Sequence, residues 1–485
     1  MSFASLEFFI FLALVFQAYY LVPKKRWQNG LLVVSSYFFY GWWDYRFCLL
    51  MLVSSLVDYF GGLGIAAARG PRVKFWILAG TLTVNLLLLG FFKYFNFFVD
   101  SLVVALVSVG IDWNTSTLSI ILPVGISFYT FQTMSYTIDV YRRTAPVQRN
   151  LVDYLAFVSF FPQLVAGPIE RASKLMPQFQ QARRFSMPGA VEGCRLILWG
   201  LFKKAVLADN LAVLVNGPYS VPDQASAAAL FLGTIGFAFQ IYCDFSGYSD
   251  IAVGAGLLLG IRLSRNFEYP YFSRSMGEFW RRWHCSLSGW FRDYVYIPLG
   301  GSREGMGRTT RNLLVTFLLS GLWHGAAWKF VVWGGFHGIC LSVGNWRHRL
   351  RWERPIGETE AGSRSGNWLS RLFSVGGTFC LVCVGWILFR ADTLGDAITI
   401  LLRIPSGMCA LLFYDELARL TGEHAVVLGA LAVFLGVEWF HRDRWNPMPF
   451  VGGSRVVSWS FYTVLVWSVI LFGTGRTSDF IYFQF

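Results

Sequence analysis

The sequence predicts an all-α protein that crosses a membrane many times. Of its 485 residues, 55% are hydrophobic and only 14% are charged, whereas an average soluble domain carries about 25% charged residues. Apolar runs that approach the length of a spanning helix, about 20 residues, recur from one end of the chain to the other. These runs do not alternate apolar with polar residues, as the strands of a membrane barrel do. The composition therefore excludes a soluble enzyme, a disordered chain and a membrane β-barrel.

The first apolar run, Phe3 to Val22, is predicted to be a membrane span. It lacks the basic start and the small-residue cleavage site of a signal peptide. Several of the later runs are short enough to be re-entrant or interfacial helices. We expect about nine to twelve transmembrane helices, together with such shorter helices, in one domain of residues 1–485. The candidate spans after the first lie at 30–43, 47–66, 75–92, 97–110, 120–140, 151–167, 190–208, 227–243, 247–261, 312–345, 373–389, 395–413, 425–440 and 456–473.

The net charge of +13 is explained by loops that face the cytoplasm. Cytoplasmic loops are rich in Lys and Arg and lie beside anionic lipids, so membrane lipids are expected partners. No basic stretch is long enough to form a nucleic-acid-binding arm, and no nucleic acid is expected as a partner. The basic segments Lys24–Arg26, Arg69–Lys74 and 343–371 are predicted to face the cytoplasm.

Residues 279–294 are predicted to form one basic, amphipathic helix. At 3.6 residues per turn, Trp280, Trp283 and Leu287 fall on one apolar stripe, and His284 lies within it. An interfacial helix whose arginines extend to the membrane surface accounts for the charges. It accounts less well for a histidine that faces the protein interior.

A second histidine, His324, lies in an uncharged apolar run between Gly321 and Gly325. Glycines allow close approach of backbones, and ionisable groups inside membranes are costly and therefore candidates for function. A neutral histidine with a structural role is the alternative, and His337 is a further candidate. The histidines lack the spacing that places two metal ligands on one helical face, so no metal site is expected.

Several motifs together resemble the membrane-bound O-acyltransferase (MBOAT) family, and in particular its bacterial alginate O-acetylase-like branch. The stretch from Trp280 to Tyr294, followed by Tyr296 to Arg303, carries the resemblance, and Leu322-Trp-His-Gly-Ala is similar to the family's active-site histidine motif. The matches cover nearly the whole chain in the expected order. The other matching stretches are Phe161–Ile169, Cys243–Asp250, Asn266–Tyr271, Trp386–Ala391 and Tyr482–Phe485.

The resemblance implies an O-acetyltransferase of the bacterial inner membrane. Its donor is expected to be cytoplasmic acetyl-CoA, with no permanently bound cofactor, and its final acceptor a polysaccharide such as alginate, cellulose or peptidoglycan. His324 is expected to be the general base, a role that suits a neutral imidazole. His284 matches a second family histidine, which binds the donor carbonyl or orients the acceptor.

Four arginines are candidate contacts for the phosphates of acetyl-CoA, because a guanidinium offers two parallel donors to a phosphate. For each one, pairing with a lipid headgroup is an equally good explanation. The four are Arg281, Arg282, Arg303 and Arg308.

Two functions of other classes stay open. A many-span protein with ionisable residues near the membrane centre could be a transporter or polysaccharide exporter, although paired halves with matching broken helices are not evident. The second open function is that of a non-catalytic membrane scaffold. In the acetyltransferase interpretation, the segments expected outside are too short to fold as a domain that holds a polysaccharide. A separate periplasmic acetyltransferase is therefore expected to receive the acetyl group.

Overall fold

The computed structural model describes residues 1–113, 118–165, 167–352, 368–442, 454–473 and 480–481. Every regular element in these residues is a helix, which confirms the predicted fold class. The motif Tyr482–Phe485 and the middle of the basic segment 343–371 lie outside the described residues. The α-helices are α1 (Leu6–Leu21), α2 (Lys25–Gly41), α3 (Arg46–Ala67), α4 (Pro71–Leu89), α5 (Phe95–Ser108), α6 (Ile126–Arg142), α7 (Leu151–Ser159), α8 (Phe161–Leu164), α9 (Ala172–Phe179), α10 (Met187–Leu201), α11 (Asp209–Ser220), α12 (Ala227–Leu258), α13 (Met276–Arg282), α14 (Cys285–Phe291), α15 (Met306–His324), α16 (Trp328–Trp352), α17 (Trp368–Arg390), α18 (Leu394–Met408), α19 (Leu411–Glu423), α20 (Ala425–His441) and α21 (Arg455–Phe472).

The chain is a multi-pass membrane protein. In the described residues, five helical segments are long and apolar enough to cross a membrane, or six if α18 and α19, which meet at 108°, form one broken span. The five are Arg46–Ala67, Pro71–Ser108, Ala227–Leu258, Trp368–Arg390 and Arg455–Phe472.

This number is smaller than the nine to twelve spans expected from hydropathy, for two structural reasons. Neighbouring apolar runs join: the runs at 227–243 and 247–261 form the single 32-residue helix α12. Other runs form helices too short to pass the same test, among them the 16-residue α1 and the 17-residue α20.

The chain divides into two compact units. The first consists of Met1–Ile197 and Tyr248–Ser264, and the second of Leu198–Gly247 and Arg265–Phe485. The single domain expected over residues 1–485 stays a prediction.

A buried polar network organises the first unit at the basic segment Lys24–Arg26. The ammonium of Lys25 pairs with Asp153 at 3.1 Å, and Asn29 Nδ2 donates to the same carboxylate at 2.7 Å. The guanidinium of Arg183 donates in turn to Asn29 Oδ1 at 2.5 Å. Buried charges are tolerated when they are paired and hydrogen-bonded in this way, so the network ties α2 to α7 and to the segment after α9.

In the second unit, helices α15 and α16 pack with their backbones in direct contact. A Cβ atom placed on Gly321 would lie 2.1 Å from the carbonyl oxygen of Phe330, and one on Gly334 would lie 2.2 Å from that of Phe317. Only glycine permits such an approach. The contact fixes the end of α15, where His324 lies, against the first turns of α16.

Candidate active site

His324 is the last residue of α15 and lies inside a cage of aromatic rings. Its side chain is buried, and the chain leaves the helix at Gly325 in an extended conformation. The imidazole stands edge-on to Trp323 and Trp333, each with ring centroids 5.0 Å away, and to Phe389 at 5.5 Å. Helices α15, α16 and α17 each contribute a wall. The imidazole is thus held in an apolar, aromatic environment.

The single helix predicted through the motif around His284 is wrong, because the structure breaks it at that residue. Helix α13 ends before His284 and α14 begins after it, and His284 itself has φ 42° and ψ 56°. The cause is not local: the main-chain N–H of Cys285 donates to the carbonyl of Asn266 at 2.8 Å, and that of Glu268 donates to the carbonyl of Arg282 at 2.9 Å. These bonds replace those that would continue the helix.

The break places the His284 side chain fully inside the second unit. Its Nδ1 lies 3.3 Å from Asn266 Oδ1, and the hydroxyl of Ser286 lies 2.6 Å from that oxygen. The ring of Phe245 stands edge-on to the imidazole at 4.7 Å. Burial lowers the pKa of His284 to about 3, so this imidazole is neutral at physiological pH.

The structure brings the two predicted site histidines together across Trp323. The centroid of its ring lies 6.2 Å from that of His284 and 5.0 Å from that of His324. The imidazoles are therefore closer to each other than the sum of these two distances. Both belong to the second unit, which thus contains the whole histidine pair.

His337 lies in the same aromatic cluster but has a hydrogen bond that explains its burial. The indole N–H of Trp280 donates to His337 Nδ1 at 3.4 Å, and the ring of Trp333 is 4.7 Å away. A Cβ on Gly385 would lie 2.6 Å from Nε2. These close neighbours favour a structural role for His337.

The four candidate arginines differ in their surroundings. Arg282 pairs with Glu278 at 2.8 Å, and Arg308 pairs with Glu304 at 2.5 Å. Arg281 and Arg303 are exposed. A phosphate would have to compete with a carboxylate for two of the four. Among the residues that the structure describes, no group of three or more His, Cys, Asp or Glu side chains is placed to hold a metal ion.

Two residues near the site lie in the quoted motifs but were not predicted as site residues. Asn266 holds His284, as described above. Asp244 forms an ion pair with Lys204 Nζ at 2.7 Å and accepts from the main-chain N–H of Ile481 at 2.8 Å. The neighbouring Phe480 packs on Phe245, whose ring contacts His284.

The sequence offered a signal for the second of these residues only. Lys203 and Lys204 are basic residues inside an apolar run, which indicates that they need a buried acidic partner. The contact between Asn266 and His284 depends on the fold and has no comparable signal.

The known proteins that are similar in sequence to this chain belong to the family that its motifs resemble. The sequence profile of MBOAT, the membrane-bound O-acyltransferase family, matches residues 144–383. The chain is 40% identical to the probable alginate O-acetylase of Pseudomonas putida, over the whole of both proteins. It is 44% identical to the protein of that name from Pseudomonas aeruginosa, over 80% of this chain and 72% of the relative. It is 35% identical to the peptidoglycan O-acetyltransferase of Helicobacter pylori, over 80% of this chain and 75% of the relative.

Proposed function

The chain belongs to the membrane-bound O-acyltransferase family and is an O-acyltransferase, and from this premise we propose that it transfers acetyl from acetyl-CoA with His324 as general base. The donor binds from the cytoplasm, and the acetyl group leaves on the opposite side of the bacterial inner membrane. Its destination is a hydroxyl of a cell-envelope polysaccharide.

The observation that carries this proposal is the pair of buried imidazoles that both lie next to the ring of Trp323. Acetyl transfer from a thioester requires a hydroxyl that loses its proton as its oxygen attacks the carbonyl carbon. In the proposed step, His324 takes this proton, the new C–O bond forms and the C–S bond breaks. The proton then passes from His324 to the departing thiolate. A neutral imidazole can act in both directions near physiological pH, and no metal is needed.

The names of the relatives support a polysaccharide as the acceptor of the acetyl group. Two are named as probable alginate O-acetylases and one as a peptidoglycan O-acetyltransferase. Their common feature is acetyl transfer to a polysaccharide hydroxyl, which we extend to this chain. Arg281, Arg282, Arg303 and Arg308 are the proposed contacts for the phosphates of the donor; the exposed Arg281 and Arg303 are available without breaking an ion pair.

A transfer assay separates this proposal from a transporter or a scaffold. Purified protein is incubated with acetyl-CoA labelled in the acetyl group, an oligosaccharide acceptor and a periplasmic acetyltransferase, and in parallel without the acceptor and this partner. An O-acetyltransferase forms labelled ester or releases labelled acetate, and His324→Ala abolishes both. Equal label in the wild type and the variant would reject His324 as the base, and no turnover under any condition would support a non-catalytic role.

The proposed periplasmic partner is tested by reconstitution. The protein is placed in liposomes with acetyl-CoA on the side of Arg26 and polysaccharide on the other side. We expect acetylated polysaccharide only when a periplasmic acetyltransferase is added on the polysaccharide side. Acetylation by the chain alone would overturn the requirement for a partner and leave the transfer activity standing.

A further inference from the structure

The geometry around His284 decides between the two roles that the family resemblance leaves open for it. Binding the donor carbonyl requires an N–H, whereas holding a hydroxyl or amide hydrogen requires a ring nitrogen with a lone pair. A neutral imidazole has one nitrogen of each kind. The role therefore depends on which nitrogen carries the hydrogen.

Asn266 determines this choice. Its Oδ1 is 3.3 Å from His284 Nδ1, and a carbonyl oxygen only accepts hydrogen bonds. The hydroxyl of Ser286 donates to that same oxygen at 2.6 Å, which orients the amide with its oxygen toward the imidazole. His284 Nδ1 therefore carries the hydrogen, and Nε2 carries the lone pair.

The position of Asn266 is fixed independently of its side chain. Its main-chain carbonyl accepts from the N–H of Cys285 at 2.8 Å, directly after His284. The Asn266 side chain is 1% exposed, and water does not compete for its oxygen. The main chain and side chain of one residue thus hold both the backbone break at His284 and the orientation of its ring.

We propose that Asn266 is a positioning residue that keeps His284 Nδ1 protonated, so that Nε2 accepts a hydrogen bond from an O–H or N–H of a substrate. This inference rests on the proposed acetyl transfer and leaves its proton path through His324 unchanged. Two sources supply such a hydrogen: a second, non-reacting hydroxyl of the acceptor, and an amide N–H in the arm of the coenzyme A donor. Binding of the donor carbonyl is then the task of another group.

The test compares Asn266→Asp with Asn266→Leu in the acetyl-transfer assay. Aspartate keeps an oxygen that accepts from Nδ1, whereas leucine of similar size removes it. We expect Asn266→Leu to lower kcat/KM by about 10²-fold or more, since loss of the correct histidine tautomer lowers kcat by about 10⁴-fold in a Ser-His-Asp triad. Asn266→Asp should stay within about tenfold of the wild type, since a carboxylate holds an imidazole in the same tautomer. A rise in KM for acetyl-CoA identifies the amide as the bound group, and a rise in KM for the acceptor identifies the hydroxyl.

Two serines supply matched controls. Ser286 contacts Asn266 Oδ1, whereas Ser288 donates to the main-chain carbonyl of Trp283 at 3.1 Å. Ser286→Ala should lower kcat/KM several-fold, and Ser288→Ala should leave it unchanged. If Asn266→Leu fails to accumulate as a monodisperse protein, the Ser286→Ala and Asn266→Asp results decide the question.

Three results would overturn the inference. The first is full activity of Asn266→Leu. The second is an Asn266→Asp variant as impaired as Asn266→Leu, which would show that the amide donates to Nδ1 instead. The third is equal activity of Ser286→Ala and Ser288→Ala. Failure of the acetyl-transfer proposal has a different signature, because the wild type would then show no transfer that depends on His324.

Discussion

The imidazole of His324 stands edge-on to the indole of Trp333, with ring centroids 5.0 Å apart and planes at 82°. The two residues lie on α15 and α16, whose backbones touch at Gly321 and Gly334. The base proposed for acetyl transfer is therefore held by packing between two helices, not by a flexible loop. Such rigid placement lets a general base act without reorganisation.

His324→Gln should abolish most acetyl transfer while the protein still folds. Glutamine fills much of the space of the imidazole but cannot take a proton, and loss of a general base typically costs about 10²–10⁴-fold in rate. The measurement is kcat for acetyl transfer with purified protein, after checking that the variant inserts and elutes as the wild type does.

His337→Gln is the matched control, because this histidine is equally buried in the same cluster and its Nδ1 accepts from Trp280. Glutamine can accept that bond, so we expect less than about a tenfold loss. Equal losses in both variants would show that the cluster is sensitive to any substitution and would remove the case for His324 as the base.

The left-handed backbone conformation of His284 leads to a separate prediction about stability. Its φ of 42° lies in the left-handed region, which glycine occupies without the steric cost that other residues pay. We expect His284→Gly to be more stable than His284→Ala by about 1 kcal/mol, with acetyl transfer impaired in both. Thermal unfolding in detergent measures the difference, and an alanine variant as stable as the glycine variant would argue against the left-handed conformation.

Acid should destabilise the protein partly through His284. Burial lowers its folded-state pKa from 6.5 to about 3, so as pH falls the unfolded chain takes up a proton first. This contribution to stability is fully present above pH 6.5 and is lost as pH falls toward 3, by about 1.4 kcal/mol per pH unit. The four side chains described next to it, Phe245, Trp323, Asn266 and Ser286, are uncharged.

The measurement is the melting temperature in detergent at pH 7.5 and at pH 5 for the wild type and His284→Gln. We expect the acid-induced drop to be smaller in the variant, which has no group to protonate at this position. An identical drop in both proteins would show that His284 is solvated or already charged.

The sequence predicts the helical class correctly, because this class depends on local composition and spacing. It also singles out His284 and His324, which the structure places near the same indole ring, and their catalytic roles stay a prediction. It fails where a helix boundary depends on tertiary contact. Two separate spans are expected at 227–243 and 247–261, but α12 continues through Gly247. A Cβ on Gly247 would lie 2.8 Å from the carbonyl of Gly200, so this glycine serves close packing. The opposite error occurs at His284, where hydrogen bonds from the segment around Asn266 end a helix that the local sequence favours.

The orientation of the chain yields a labelling prediction. Arg26 and Arg72 are exposed members of two of the basic segments expected in the cytoplasm. Asp112 is exposed in a stretch, residues 109–125, that contains no Lys or Arg and is therefore expected outside. A cysteine at each position is tested in a variant whose exposed Cys194, Cys380 and Cys409 are replaced by serine.

In intact cells, an impermeant maleimide should label only the cysteine that replaces Asp112, and opening the cells should add the other two. Lys25 is a poorer position for labelling, because it is partly buried and paired with Asp153. Labelling of position 26 or 72 from outside would reverse the topology and with it the cytoplasmic side of the donor.

The buried cluster of Lys204, Asp209 and Asp244 is expected to give the largest effect on stability among these variants. Lys204 Nζ lies 2.7 Å from Asp244 and 2.9 Å from Asp209, and all three side chains are at most 6% exposed. Lys204→Met leaves two carboxylates without this cation and should cost about 3–5 kcal/mol. By contrast, Arg308→Gln breaks an exposed pair with Glu304 and should cost less than about 1 kcal/mol.

The triple variant Lys204→Met, Asp209→Asn, Asp244→Asn separates the charge effect from the loss of packing. It removes all three charges together. Replacing a complete buried ion pair with well-packed hydrophobic residues of similar volume is often neutral for stability, and asparagine keeps the volume of aspartate without its charge. We therefore expect it to recover most of the stability lost in Lys204→Met. The asparagine at position 244 keeps an oxygen that can accept from the N–H of Ile481, so the contact of Phe480 with Phe245 beside His284 should also be retained. A triple variant no more stable than Lys204→Met in thermal unfolding would show that packing of the lysine stem, and not the balance of buried charge, holds this part of the second unit together.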